Sequence, residues 1–145
     1  DFINAKAKLA LDMNGQFPDL VDKAHVHLID AYHPLLYIYN KTSGKKTIPV
    51  NLELDDEARI LIISGPNAGG KTVSMKTLGL NQVMLQSGLL VPMSATSQMG
   101  IYKQLFINNY LSIWKDFQIK KKISSSLYFW IKRDILKFFL IHQKF

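Results

Sequence analysis

The run Arg59-Ile60-Leu61-Ile62-Ile63-Ser64-Gly65-Pro66-Asn67-Ala68-Gly69-Gly70-Lys71-Thr72 carries an apolar stretch straight into a glycine-rich turn that ends on lysine and threonine. Its last eight residues fit the phosphate-binding pattern G-x-x-x-x-G-K-[ST]. Arg59 to Ser64 reads as a short strand of the kind buried on both faces of a parallel sheet, and Thr72 to Gln86 as the helix that follows. Each residue type has a chemical reason. Gly65, Gly69 and Gly70 let the backbone curl round a compact anion and aim N–H groups at it, with Pro66, Asn67 and Ala68 completing the turn. The helix beginning near Lys71 adds its positive end. Lys71 is expected to reach the β- and γ-phosphates of a nucleoside triphosphate, while the Thr72 hydroxyl takes a place on Mg²⁺.

Outward from this loop the chain alternates helix and strand. Phe2 to Met13 places Phe2, Ile3, Ala5, Leu9 and Met13 at helical spacing and stops at Asn14-Gly15. After a turn at Pro18, His25 to Ala31 and Thr47 to Leu54 are expected as strands, Asn40 to Lys46 as a polar loop, and Asp55-Asp56-Glu57 as a solvated turn. His25 and His27, two apart on a strand, share a face, but nothing nearby supplies further metal ligands, so they read as surface or half-buried histidines. Pro34 holds His33 extended and ends the strand.

Composition narrows the class. The 145 residues suit one domain with a modest core, and the absence of cysteine excludes disulfides and Cys-based zinc sites. Neither a signal-like N-terminus nor an apolar run long enough to cross a bilayer is present, so secretion and membrane spanning are not expected and a cytoplasmic setting is. The net charge of +7 is uneven: residues 1–106 hold ten Lys/Arg against nine Asp/Glu, whereas residues 107–145 hold eight against two. Whole-chain basicity therefore says nothing about the partners of the loop-bearing part.

The loop and its neighbours resemble a known family. Gly-Pro-Asn-x-Gly-Gly-Lys-Thr with its paired glycines is similar to the loop of the MutS family of DNA mismatch-repair and recombination ATPases, as is Val26-His27-Leu28-Ile29-Asp30-Ala31-Tyr32-His33-Pro34-Leu35-Leu36 to the strand and His-Pro turn that open its ATPase domain. Lys71 to Leu80, then Gln86-Ser87-Gly88-Leu89-Leu90-Val91-Pro92, resemble more closely the second bacterial branch, the anti-recombination paralogue. Met99 to Phe106 looks like the strand that follows the loop helix. The resemblance implies an α/β fold, a partial P-loop NTPase domain of the ABC-type MutS class, preceded by the end of a helical core. It divides the chain into residues 1–22 (core end), 23–106 (N-terminal part of the ATPase domain) and 107–145 (tail), and makes Asp1 no natural start. It further implies DNA as partner, a homodimer in intact relatives, and a base pocket shaped near His33-Pro34. In the mismatch-reading branch an aromatic stacks on adenine; Lys45 to Ile48 offers none, which leaves Ile48 or Tyr37.

Beyond Phe106 the family's acidic segment, Ser-Thr-rich signature and strand ending in Asp-Glu are missing. The tail has no Gly, Pro, Ala, Val, Thr, Glu or Met, and 27 of its 39 residues are Lys, Asn, Ile, Phe, Leu or Tyr against 45 of the first 106, a bias expected of AT-rich DNA translated in a shifted frame. The rival form is a basic amphipathic helix with Leu127, Ile131, Ile135 and Phe138 on one face, with Trp114, Trp130 and Lys120-Lys121-Lys122 suiting an anionic surface. Function accordingly reads as the ATP-binding part of a MutS-type ATPase in mismatch repair or suppression of recombination, truncated and deficient in hydrolysis. The alternatives are a nonenzymatic nucleotide-binding module, or a membrane- or nucleic-acid-associated basic peptide fused to a partial P-loop fold.

Overall fold

The computed structural model describes residues 1–58, 60–64, 70–108, 126–132 and 135–140. Gly65 to Gly69, Arg59 and most of the tail, including Trp114, Asp116, Lys120-Lys121-Lys122 and Asp134, lie outside the described residues. The elements are α1 (Phe2–Asp12), β1 (Asp19–Val21), β2 (Val26–Ala31), α2 (Pro34–Thr42), β3 (Val50–Leu54), β4 (Ile60–Ser64), α3 (Lys71–Gln86), β5 (Gln98–Gly100), β6 (Gln104–Asn108), β7 (Ser126–Lys132) and β8 (Ile135–Leu140). They form a mixed α/β fold with two four-stranded sheets, ordered β1-β5-β2-β3 and β4-β7-β8-β6.

In the first sheet β1 runs parallel to β5, while β2 is antiparallel to both β5 and β3. β2 alternates buried Val26 and Leu28 with half-exposed His27 and Ile29, then slips. The register passes from Leu28 opposite Leu52 to Ala31 opposite Val50, one extra residue on β2. Asp30 takes that place at φ 48°, and its N–H donates to Asn51 Oδ1 at 2.6 Å. The bulge leaves Asp30 in solvent and returns Ala31 to the core.

α3 forms because its apolar residues recur at helical spacing. Met75, Leu78, Met84 and Leu85 are buried and meet Val26, Leu28, Ala31, Leu52 and Leu54 of the first sheet, with Met13, Val91, Met93, Met99 and Tyr102 closing the core. Leu61 and Ile63 of β4 and Leu105 of β6 pack on the same cluster from the second sheet.

Four expectations are corrected. β4 is not a doubly covered parallel strand: its neighbour β7 is antiparallel, and Ile60 and Ile62 are 46% and 48% exposed while Leu61 and Ile63 face the core. The loop expected over Asn40 to Lys46 begins as helix, because α2 runs to Thr42. Pro34 does end the strand, but it does so as the first residue of that helix, where its missing N–H costs nothing, and His33 caps it by accepting from the Leu36 N–H at 3.4 Å. Met99 to Phe106 is two strands in different sheets. Between them Gln86 replaces a strand partner, its Oε1 accepting from the Tyr102 N–H (3.0 Å) and its Nε2 donating to the Tyr102 carbonyl (2.9 Å). Finally, Leu127, Ile131, Ile135 and Phe138 belong to a β-hairpin rather than a helix: β7 pairs with β8 from Leu127 opposite Leu140 to Lys132 opposite Ile135. Among the described residues no helix is long and apolar enough to cross a membrane.

Candidate nucleotide site

β4 delivers the chain to the glycine-rich turn and α3 receives it. Gly70 is the N-cap of α3 at φ 76°, ψ 2°, a left-handed conformation that suits glycine. Lys71 is the first helical residue and only 5% exposed, and Thr72 follows in the exposed part of the first turn. No side chain caps α3 and its first turn has no acidic residue. A positive helix end with no acidic side chain of its own favours an anion there. A Cβ built at Gly70 meets no atom of the described residues within 4 Å. These features fit a bound phosphate chain. Gly65, Pro66, Asn67, Ala68 and Gly69, the remaining expected contacts, lie outside the described residues.

A polar seam that the sequence alone did not disclose joins α3 to the first sheet. Asn81 and Gln82 are fully buried on α3. Asn81 Nδ2 donates to the Tyr32 carbonyl (3.0 Å), tying α3 to the residue before the His-Pro turn; Gln82 Nε2 donates to the Gly100 carbonyl (2.9 Å), tying it to β5. The available signal was three amide side chains, Asn81, Gln82 and Gln86, on one helix. Tyr102 closes the seam by donating its hydroxyl to the His25 carbonyl at 3.2 Å, and burial pushes its phenol well above the ordinary range.

Burial, then the Lys76 ammonium of the second turn of α3, holds His33 below its ordinary value of 6.5. The Lys76 charge thus disfavours a protonated imidazole at the His-Pro turn. Of the two base-contact candidates, Tyr37 is half-buried against Tyr32 with ring centres 5.0 Å apart, and Ile48 is 83% exposed. His25 and His27 do share a face, their rings edge to face at 6.4 Å, with His25 buried. Among the described residues no cluster of three or more His, Asp or Glu could hold a metal. Asp55 makes the expected turn: its Oδ1 accepts from the N–H groups of Ala58 (2.6 Å) and Glu57 (2.8 Å), which holds its pKa below the usual carboxylate value.

No protein-family model matches the chain. Individual relatives do. Proteins named Endonuclease MutS2 from Lactiplantibacillus plantarum and Agathobacter rectalis are each 42% identical to it over 106 residues, 73% of this chain. The protein of the same name from Carboxydothermus hydrogenoformans is 38% identical over 108 residues, 74% of the chain. The chain belongs to the MutS family, in its second bacterial branch. It spans about an eighth of these relatives, 13% of the length of each. Membership in MutS bears on the stretch that holds β4, Gly70 and α3, and the tail strands β7 and β8 have to be judged on their own register.

Proposed function

We propose that this chain is the ATP-binding part of a MutS-type DNA-repair or recombination ATPase, that it binds Mg-ATP through Gly65 to Thr72, and that it does not turn ATP over by itself. One observation carries the proposal: strand β4 ends where the glycine-rich turn begins, and the turn ends on left-handed Gly70 at the N-terminus of α3, with Lys71 as its first residue. Lys71 supplies a point charge to the β- and γ-phosphates and Thr72 a hydroxyl to Mg²⁺. Bound ATP would bring a phosphoryl group whose transfer depends on positioning and electrostatics. This chain's share of that work is the cradle.

Hydrolysis also needs a carboxylate near the same end of the strands, and the register argues against the tail providing one. β4, β8 and β6 point the same way, with β7 reversed between β4 and β8. Ser64, where the loop departs, pairs with Ser126. Lys132 and Ile135, which bracket Asp134, pair with each other beyond Ile60, at the opposite end of a strand about 13 Å long. Asp116 is then the tail's only other acidic residue.

DNA as the partner, a second subunit completing the site, and a role in mismatch repair or suppression of recombination rest on family membership alone. The relatives carry "endonuclease" in their name, and we extend nucleotide binding, not nuclease chemistry, to this stretch. Calorimetric titration with Mg-ATP tests the assignment. Affinity should be lost in Lys71→Ala, and an equal affinity in that variant and the parent would remove the site.

A further inference from the structure

Asn14-Gly15 is the chain's only Asn-Gly pair. In an unstructured chain such a pair is labile, because the backbone nitrogen of a glycine can approach the preceding Asn Cγ with no side chain in the way. The fold sets the pair in a tight corner. Asn14 stands exposed at φ 51°, the left-handed position just past α1, which asparagine tolerates better than most residues. Its N–H donates to the Leu11 carbonyl at 3.2 Å, and the Gly15 N–H donates to the Ala10 carbonyl at 2.7 Å, the two bonds of a Schellman ending. Gly15 is also hemmed in by β-carbon contact, since a Cβ built on it would stand 3.0 Å from the Leu90 Cβ. Next along the chain, Gln16 and Val91 exchange two backbone hydrogen bonds of 2.8 and 3.0 Å.

Each of these contacts opposes one reaction. Cyclisation needs the Gly15 nitrogen to give up its proton and turn onto Asn14 Cγ. That proton is engaged by the Ala10 carbonyl, and the turn would part Gly15 from Leu90 and pull on the Gln16–Val91 pair. The Asn14 side chain itself is in water, so control of the reaction lies in the main chain. Corners of this kind open locally without global unfolding, and only the open fraction can react.

We propose that Asn14-Gly15 is a conformationally gated deamidation site, held unreactive while the corner is closed and converted through a succinimide to aspartate or iso-aspartate when it opens. As the ring closes, the bond from Gly15 N to Asn14 Cγ forms, the Cγ–Nδ2 bond breaks, and the Gly15 amide proton leaves with Nδ2 as ammonia. Water then adds at either ring carbonyl and reopens the ring, so one water is consumed and one ammonia released. Iso-aspartate routes the main chain through the former side chain, and both products put a negative charge at the negative end of α1. The original corner is thereby disfavoured, and the modification records that it has opened. The inference does not rest on nucleotide binding.

The full chain incubated in mildly alkaline buffer, with and without denaturing guanidinium chloride, tests it. Trypsin releases the peptide from Leu9 to Lys23, whose only asparagine is Asn14, for chromatography and mass spectrometry. In denaturant the peptide should gain the mass difference between amide and acid, in two chromatographic forms. The folded chain should react at least about ten-fold more slowly. Asn40, followed by Lys41, is the internal reference and should stay intact over the same period in both conditions. Gly15→Ala, measured in denaturant so that its folding is immaterial, should slow the reaction several-fold, because a Cβ then obstructs the attacking nitrogen. An unchanged rate in that variant would mean that water attacks the amide directly, and would overturn the succinimide route. Equal rates in folded and denatured chain would overturn the gating, and a denatured Asn14 no more reactive than Asn40 would overturn the site.

Discussion

Gly70 is where a substitution separates two causes. A Cβ there meets no atom of the described residues, so what opposes a side chain is its own backbone: φ 76° is unfavourable for any L residue and most for a β-branched one. Gly70→Val should therefore cost about 1–3 kcal/mol of stability in urea unfolding and abolish Mg-ATP binding in calorimetry. His33 and His25 offer a pH test. Burial and Lys76 lower the first, burial and then Lys23 the second, so each folded-state value lies below the ordinary 6.5. Above 6.5 both are neutral folded or unfolded, and stability is at its full value. As pH falls, the unfolded chain takes up protons first, and stability declines until the folded-state values are passed. The urea midpoint should drop from about pH 6.5 downward, and drop less in His33→Asn, which retains an N-cap acceptor without the titration.

At the scale of elements, the decisive contact is the passage from β5 to β6. Gly100 donates its N–H to the His25 carbonyl at 2.7 Å and accepts from Gln82, so it is pinned on both sides. A Cβ on it would overlap the Lys23 carbonyl and press on the His25 backbone at 3.2 and 3.3 Å, where only main chain is available to give way. Gly100→Ala is expected to cost about 1–3 kcal/mol or more by overpacking. Gly44→Ala makes the comparison, since its Cβ would meet nothing and only the left-handed φ of 66° opposes it, about 1 kcal/mol. Thermal melts of the two variants should rank Gly100→Ala as the less stable. Gly100 matters to the site because Gln82, its partner, lies on the helix that starts at Lys71.

For the whole molecule, the expectation is binding without turnover. Ser64, where β4 enters the glycine-rich turn, lies at one end of the strands of the β4-β7-β8-β6 sheet, and Lys132 and Ile135 lie at the other. Losing the water-positioning and metal-anchoring groups should cost many powers of ten in rate even with the phosphate contacts intact. A steady-state phosphate-release assay on purified protein, with Lys71→Ala as the contamination control, should show no turnover above that control. Multiple turnovers that vanish in the control would mean the tail brings a carboxylate into place, with Asp116 the first to substitute.

Sequence by itself determined what depends on neighbours along the chain. Glycine punctuation and helical spacing located α1 and α3 to within a residue or so, strand alternation found β2 and the core of β3, the Asp55 turn followed from its residue types, and the loop with its flanking motifs identified the MutS family. Tertiary structure alone decided what depends on partners far away. That β4 faces an antiparallel neighbour is set by residues more than sixty positions on. That Met99 to Phe106 divides between two sheets is set by Gln86 on a helix, and that Lys76 acts on His33 is set by how α2 meets α3. An apolar run signals burial, but the direction of its partner and the sheet it joins are properties of the other strand, and no local pattern carries them.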